Sequence, residues 1–193
     1  MVRARVEASG ENEAAAAIVA SQVSIDSSGG QVRAIGPESV NNSGWIVSYE
    51  IFVPQSTDLS LKTYNGGMTI SDVRGEIRFD VNNGGVHLKR VAGDVSGATV
   101  NGGIQVELTG AIWDGRQLEV STRNGGVTVT MPSNYSAHIQ AETESGGIRS
   151  DFPITLEGNV RPRRLDSSIG SGGPLIHIAT RNGGVTLKRA ESQ

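Results

Sequence analysis

Three histidines and a scatter of carboxylates are the residues of this 193-residue chain whose types suit acid–base or metal chemistry. A metal centre needs three or four convergent ligands. His87, His138 and His177 lie in different segments, each at an outward position of an alternating pattern, so they read as solvated side chains. Cysteine is absent, which removes disulfides, thiolate metal sites and thiol nucleophiles. Ser-Gly-Gly at Ser145 and Ser171 puts a serine beside glycines, but the serine takes the place of a turn asparagine, and a turn role follows. Calcium-binding β-rolls need an aspartate recurring after each glycine pair, and none recurs here. No glycine-rich phosphate loop opens a helix after a strand. Paired carboxylates hydrolyse glycosides. Asp80 beside Arg78, or Glu119 with Glu142, are the pairs to consider, and mixed charge on a wetted sheet is their ordinary explanation. Tyr64 and Trp113 are candidate sugar platforms, Trp113 topping a loop or folding back as a plug. Arg161, Arg163 and Arg164 form a basic loop that suits an anionic glycan or a headgroup. No catalytic residue, cofactor site or metal site is expected, and the protein is expected not to be an enzyme.

The elements that position these residues repeat. Asn-Gly-Gly occurs at Asn65-Gly66-Gly67, Asn83-Gly84-Gly85, Asn101-Gly102-Gly103, Asn124-Gly125-Gly126 and Asn182-Gly183-Gly184, with the Ser-Gly-Gly variants at 145 and 171. Successive spacings are 18, 18, 23, 21, 26 and 11 residues. Six residues before the corner stand Leu59, Ile77, Val95, Leu118, Ile139 and Ile176, and three after it Met68, Val86, Ile104, Val127, Ile148 and Val185. Polar residues intervene, which is the period of half-buried strands. Each unit is therefore strand, Asn-Gly-Gly corner, strand, second glycine corner (Gly75, Gly93). The corner glycines are expected to adopt positive φ.

One unit cannot bury its own apolar face, but stacked units can. The fold class is therefore all-β: a β-solenoid, parallel β-helix-like, with about 18 residues per turn. An antiparallel meander of hairpins is the alternative. Stacking in chain order would set Lys89 beside Glu107 and Arg123 beside Glu144, and it would ladder the asparagines. The strand Leu175 to Thr180 between two close turns suits a local hairpin. Residues 59–193 form this repeat domain. Residues 1–58 do not follow it and read as an α+β cap: strand Val2 to Glu7, helix Ser9 to Gln22, a hairpin around Ser28-Gly29-Gly30, and strand Trp45 to Val53.

Residues 1–58 carry three basic and seven acidic side chains and the remainder fourteen and thirteen, so neither part is a basic field and nucleic acid is not an expected partner. No apolar run approaches the roughly 18 residues of a membrane span. Met1-Val2-Arg3-Ala4-Arg5 lacks the apolar core of a signal peptide. If the chain is exported, its signal or anchor lies outside these residues.

The repeats, the run Val47-Ser48-Tyr49-Glu50-Ile51-Phe52-Val53-Pro54 and the Gly93-Asp94 corner resemble the bacterial "putative adhesin" domain family of unknown function. The likeness is best over 45–153 and 174–189, and even repeats break down at 154–173. It implies a non-enzymatic structural or interaction module of the cell envelope, extracytoplasmic, with a protein or glycan partner. A carbohydrate-active enzyme or polysaccharide-binding module on the same scaffold is the alternative.

Overall fold

A computed structural model describes residues 1–39, 43–153 and 163–191. The chain divides into two compact units, Met1–Val53 and Pro54–Gln193.

The first unit holds β1 (Val2–Ser9), α1 (Glu13–Ser21), β2 (Ser24–Asp26), β3 (Arg33–Ile35) and β4 (Gly44–Ile51). β1 and β4 pair antiparallel, with Val2, Ala4, Val6 and Ala8 opposite Ile51, Tyr49, Val47 and Trp45. The helix begins later than the sequence pattern suggests, because Ser9 still pairs with Gly44 and Asn12 is the N-cap. The Asn12 side chain accepts the Ala15 N–H at 2.9 Å, satisfying a donor that a helix start leaves open. β2 and β3 form the expected hairpin, its turn made by Gly29 and Gly30 at φ 62° and 75°.

The second unit runs through β5 (Leu59–Asn65), β6 (Met68–Ser71), β7 (Arg74–Asn83), β8 (Val86–Lys89), β9 (Ala92–Asn101), β10 (Ile104–Glu107), β11 (Gln117–Asn124), β12 (Val127–Met131), β13 (Ala137–Ser145), β14 (Ile148–Ser150), β15 (Arg164–Ile169), β16 (Leu175–Asn182) and β17 (Val185–Arg189). The strand before each corner joins a seven-stranded sheet, ordered β15-β13-β16-β11-β9-β7-β5. The strand after it, save β16 after the Ser171 corner, joins a six-stranded sheet, ordered β14-β17-β12-β10-β8-β6. Pairing is parallel throughout both sheets except at β15, which lies antiparallel on β13. The meander of hairpins is thereby overturned.

Equivalent residues stack in register. Ile77, Val95, Leu118, Ile176 and Ile139 form one inward column, all 0% exposed. Val86, Ile104, Val127, Val185 and Ile148 form the facing one. His87, Lys89 and Thr128 are half-buried, and Gln105 and Glu107 exposed, so the alternation has the predicted parity. Phe79 and Gly97 are register partners, and a Cβ on Gly97 would lie 2.4 Å from the ring. The glycine makes room for the aromatic side chain in the neighbouring strand.

The asparagines form a ladder. Asn83 donates to Asn65 (3.0 Å), Asn101 to Asn83 (2.7 Å), Asn124 to Asn101 (2.7 Å) and Asn182 to Asn124 (2.8 Å), each from Nδ2 to Oδ1. Buried threonines two residues earlier add a second row: Thr99, Thr122, Thr180 and Thr143 donate to the carbonyls of Gly84, Gly102, Gly125 and Gly183 at 2.8–3.0 Å.

The glycines at these corners correct the expectation of positive φ. Gly66 (111°) and Gly102 (156°) have it, whereas Gly84, Gly125 and Gly183 do not. What excludes a side chain there is the neighbouring backbone. A Cβ on Gly84 would lie 2.1 Å from the Gly66 carbonyl oxygen, one on Gly125 2.1 Å from that of Gly102, and one on Gly183 2.0 Å from that of Gly125. Stacking itself demands glycine at these positions.

Chain order also fails at one place. The last rung, β16–β17, lies between β11–β12 and β13–β14 in both sheets. Arg123 therefore does not meet Glu144. Arg181 takes that place, its Nε 2.9 Å from Glu144 Oε2. No local hairpin forms either, because β15 and β16 flank β13 on opposite sides.

Candidate functional site

The outer face of the seven-stranded sheet gathers most of the titratable side chains. Register lays them in rows across the strands. One row reads Ser60, Arg78, Ser96, Glu119, His177, Gln140, Asp166, and the next Lys62, Asp80, Ala98, Ser121, Ala179, Glu142, Arg164. Neighbours pair: Lys62 with Asp80 at 3.5 Å, Glu142 with Arg164 at 3.8 Å, and Glu119 with His177 at 3.7 Å. Arg78 pairs with Glu76 rather than with Asp80. On the six-stranded sheet Lys89 lies 3.7 Å from Glu107, as stacking in register requires.

Glu119 and Glu142, considered together in the sequence, stand on strands separated by β16 and two residues apart in register. Two strand spacings and two residues of rise put their Cα atoms about 12 Å apart.

The inserted rung creates a group that linear reading missed. His138 on β13 places Nε2 3.0 Å from Asp166 Oδ1 and Nδ1 3.3 Å from Ser168 Oγ, both on β15. Gln140 Nε2 donates to the other Asp166 oxygen at 3.1 Å. A hydroxyl, an imidazole and a carboxylate thus stand in series, on an open face where the Asp166 side chain is 66% exposed. His177 lies on the adjacent strand, so His138 and His177 are neighbours in space although 39 residues separate them in the chain. Their only sequence signal was shared outward parity. The antiparallel seat of β15 had none.

At the second corner an ordered set of charges closes the first rungs. Asp58 accepts the Glu76 N–H at 2.7 Å, and Asp94 accepts the Arg116 N–H at 3.1 Å. Arg116 Nε also reaches Asp94 at 2.5 Å, and Arg74 pairs with Asp114. Asp72 and Arg90, both with positive φ, form a two-pronged pair at 2.6 and 2.7 Å. The Arg116 guanidinium holds the Asp94 carboxyl below its ordinary range, and Arg90 does the same to Asp72. A shallow hollow of about 280 Å³ opens here, lined by Glu76, Arg78, Asp94, Ser96, Arg116 and Gln117.

Of the residues proposed to meet a partner, Trp113 is withdrawn. It is 3% exposed and donates from Nε1 to the Gly93 carbonyl at 3.1 Å, so it plugs the rung it lengthens. The exposed apolar side chain at that place is its neighbour Ile112. Tyr64 is 71% exposed, at the outward position before the first corner of the ladder. Arg164 reaches Glu142, and the Arg163 carbonyl accepts the Thr143 N–H at 2.9 Å. Arg161 lies outside the described residues. Tyr135 is buried, and the loss of water pushes its phenol pKa up. Among the described residues no three metal-ligating side chains converge, and no helix is long and apolar enough to cross a membrane.

Among curated proteins none matches the chain. A solved structure from Clostridium sporogenes, described as a "putative cell adhesion protein", is similar at 14% identity and a TM-score of 0.45, over 87% of this chain and 76% of that one. The family model Toastrack DUF4097, a domain of unknown function, matches residues 4–188. With almost its whole length matched, the chain belongs to the Toastrack DUF4097 family.

Proposed function

We propose that this chain is a non-enzymatic, adhesin-like interaction module of the bacterial envelope. Its second unit is a β-solenoid whose regular turns take 18 residues, the separation of Asn65, Asn83 and Asn101. The observation that carries the reading is the pairing across the outer face. Lys62–Asp80, Glu119–His177, Arg181–Glu144 and Glu142–Arg164 fix donors and acceptors on rigid strands. They repeat at the roughly 4.8 Å strand spacing. Binding to such a face immobilises few side chains, which lowers the entropic cost of association. A partner with repeating polar groups, a protein strand or a glycan, suits it.

The non-enzymatic part rests on where the carboxylates stand. Asp80, Glu119 and Glu142 are each engaged by a different side chain: Lys62, His177 and Arg164. Glu119 and Glu142 stand on strands separated by β16 and turn to different partners. The envelope location rests on the resemblance of the repeats to bacterial surface domains. The hollow beside Arg78 and Arg116 favours one second reading, a polysaccharide-binding module.

The test is a panel of immobilised envelope polysaccharides and surface proteins, scored for both retention and product. Retention without product supports the reading, and retention of polysaccharides alone selects the second one. Turnover that disappears in a folded Glu119→Gln or Glu142→Gln variant overturns the non-enzymatic reading.

A further inference from the structure

The last rung of the described chain is not at the end of the ladder: β16–β17 separates two rungs that precede it. Those two rungs still touch where it does not reach. Ile112 and Ser136 form a direct parallel bridge, and the Ser136 N–H donates to the Ala111 carbonyl at 2.7 Å. Beside that bridge the chain passes from β15, on one side of β13, to β16 on the other, through residues 170–174. Gly170, Gly172 and Gly173 have φ of 57°, 77° and 148°. Ser136 Oγ accepts the Ser171 N–H at 3.2 Å. The flanking rungs thus diverge from a common bridge around a wedge carried on a glycine hinge.

The flanking rungs also match each other without the wedge. Arg123 stands beside Arg181 in register, at the same position relative to the corner, and has no ion pair among the described residues. Closing the gap would bring it to Glu144. Thr143 donates to the Gly183 carbonyl, and Gly125 offers the equivalent acceptor, now held by Thr180. Val120 and Val127 match the wedge's Ile178 and Val185 as apolar neighbours for Ala141 and Ile148.

We propose that β16–β17 is a late-inserting wedge. Residues 117–131 and 137–150 first stack directly, with Arg123 paired to Glu144. The C-terminal rung then parts them by swinging on 170–174. Insertion is the final state because it buries Ile176, Ile178, Val185 and Leu187, each 0% exposed, which direct stacking leaves in water.

The full chain has no cysteine, so engineered pairs report the order of events. Ser121→Cys with Ala179→Cys joins register partners of β11 and β16. Their spacing of about 4.8 Å suits a disulfide. Ser121→Cys with Glu142→Cys spans two strand spacings in the finished fold, about 9.6 Å, beyond disulfide reach. Asp80→Cys with Glu107→Cys closes a loop of similar length to 121–142 but joins the outer faces of opposite sheets, so it is distant in both arrangements and serves as control. Each protein is refolded from urea, oxidised at increasing delays and read by mass spectrometry. The 121–142 bond is expected early, at about five times the control yield, and to fall to control level as 121–179 rises. A 121–142 yield never above control, with 121–179 forming from the first delay, overturns the proposal. Should the cysteine variants not fold, Arg123→Glu is expected to slow refolding about threefold, whatever its new charge beside Arg181 does to unfolding. An unchanged refolding rate in that variant overturns the proposal equally.

Discussion

Replacing Gly84 by alanine tests why the corners carry glycine. The new methyl would lie 2.1 Å from the Gly66 carbonyl oxygen and 2.5 Å from its carbon, both backbone atoms that cannot rotate away. Real Cβ contacts essentially never fall below 3.0 Å, so the two corners must separate by about 1 Å. That movement stretches the Gly66 N–H bond to the Asn83 carbonyl, 2.9 Å, and the Asn83–Asn65 amide bond, 3.0 Å. Two bonds at about 1 kcal/mol each, with some loss of apolar contact around Val86, give about 2–3 kcal/mol. Gly66→Ala is the informative comparison. Its φ is 111°, but nothing lies within 4 Å of the added carbon, so only backbone strain of about 1–2 kcal/mol opposes it. Gly67→Ala meets the Gly85 oxygen at an ordinary 3.4 Å and should cost under about 1 kcal/mol. Urea unfolding followed by Trp113 fluorescence, in a Trp45→Phe background, measures all three. The expected order of loss is Gly84, then Gly66, then Gly67. Gly66→Ala as the most damaging change would mean that conformation, not close approach, selects these glycines.

Three further outcomes follow from the packing and the charges. Thr122→Val removes the buried donor to the Gly102 carbonyl (2.8 Å) and should cost about 1–2 kcal/mol in the same assay; no loss would make the threonine row incidental. Gly97→Val should be strongly destabilising because it strikes the Phe79 ring, and Phe79→Val should recover a good part of the loss, a coupling that independent sites would not show. Asp72 and Asp94 have folded pKa values below that of a free carboxyl, so their contribution is present above about pH 4 and is lost as pH falls through the folded values. Thermal melts should decline below about pH 4, and less steeply in Asp72→Asn/Asp94→Asn; equal slopes would assign the acid sensitivity elsewhere.

Much of the second unit was readable because its constraints are local. Alternation around each Asn-Gly-Gly set which side chains point inward, and Ile77, Val86, Leu118 and Val129 are all fully buried. The asparagine ladder follows once strands stack in register. Rung order was not readable for the same reason that the repeat was. Asn182 and Ser145 occupy the same position of their units, so a periodic sequence carries little information on which of them stands beside Asn124. The reason for glycine was also hidden, because the Gly66 carbonyl that excludes a Gly84 side chain belongs to another rung. Trp113 was ambiguous because its lengthened segment looks like a loop, and its burial and its bond to the Gly93 carbonyl show it turned inward. The Ser168–His138–Asp166 series depends on the antiparallel seat of β15, which no spacing encodes.

The order of rungs underlies the outer-face rows, the ion pairs and the wedge, and methyl–methyl nuclear Overhauser contacts in the folded chain test it directly. Ile178 lies in register with Val120 on one side and Ala141 on the other. Adjacent strands are about 4.8 Å apart, and alternate ones about 9.6 Å. Cross-peaks from Ile178 to both Val120 and Ala141, with none between Val120 and Ala141, are the predicted result. A Val120–Ala141 cross-peak with Ile178 contacting only one of them would contradict it.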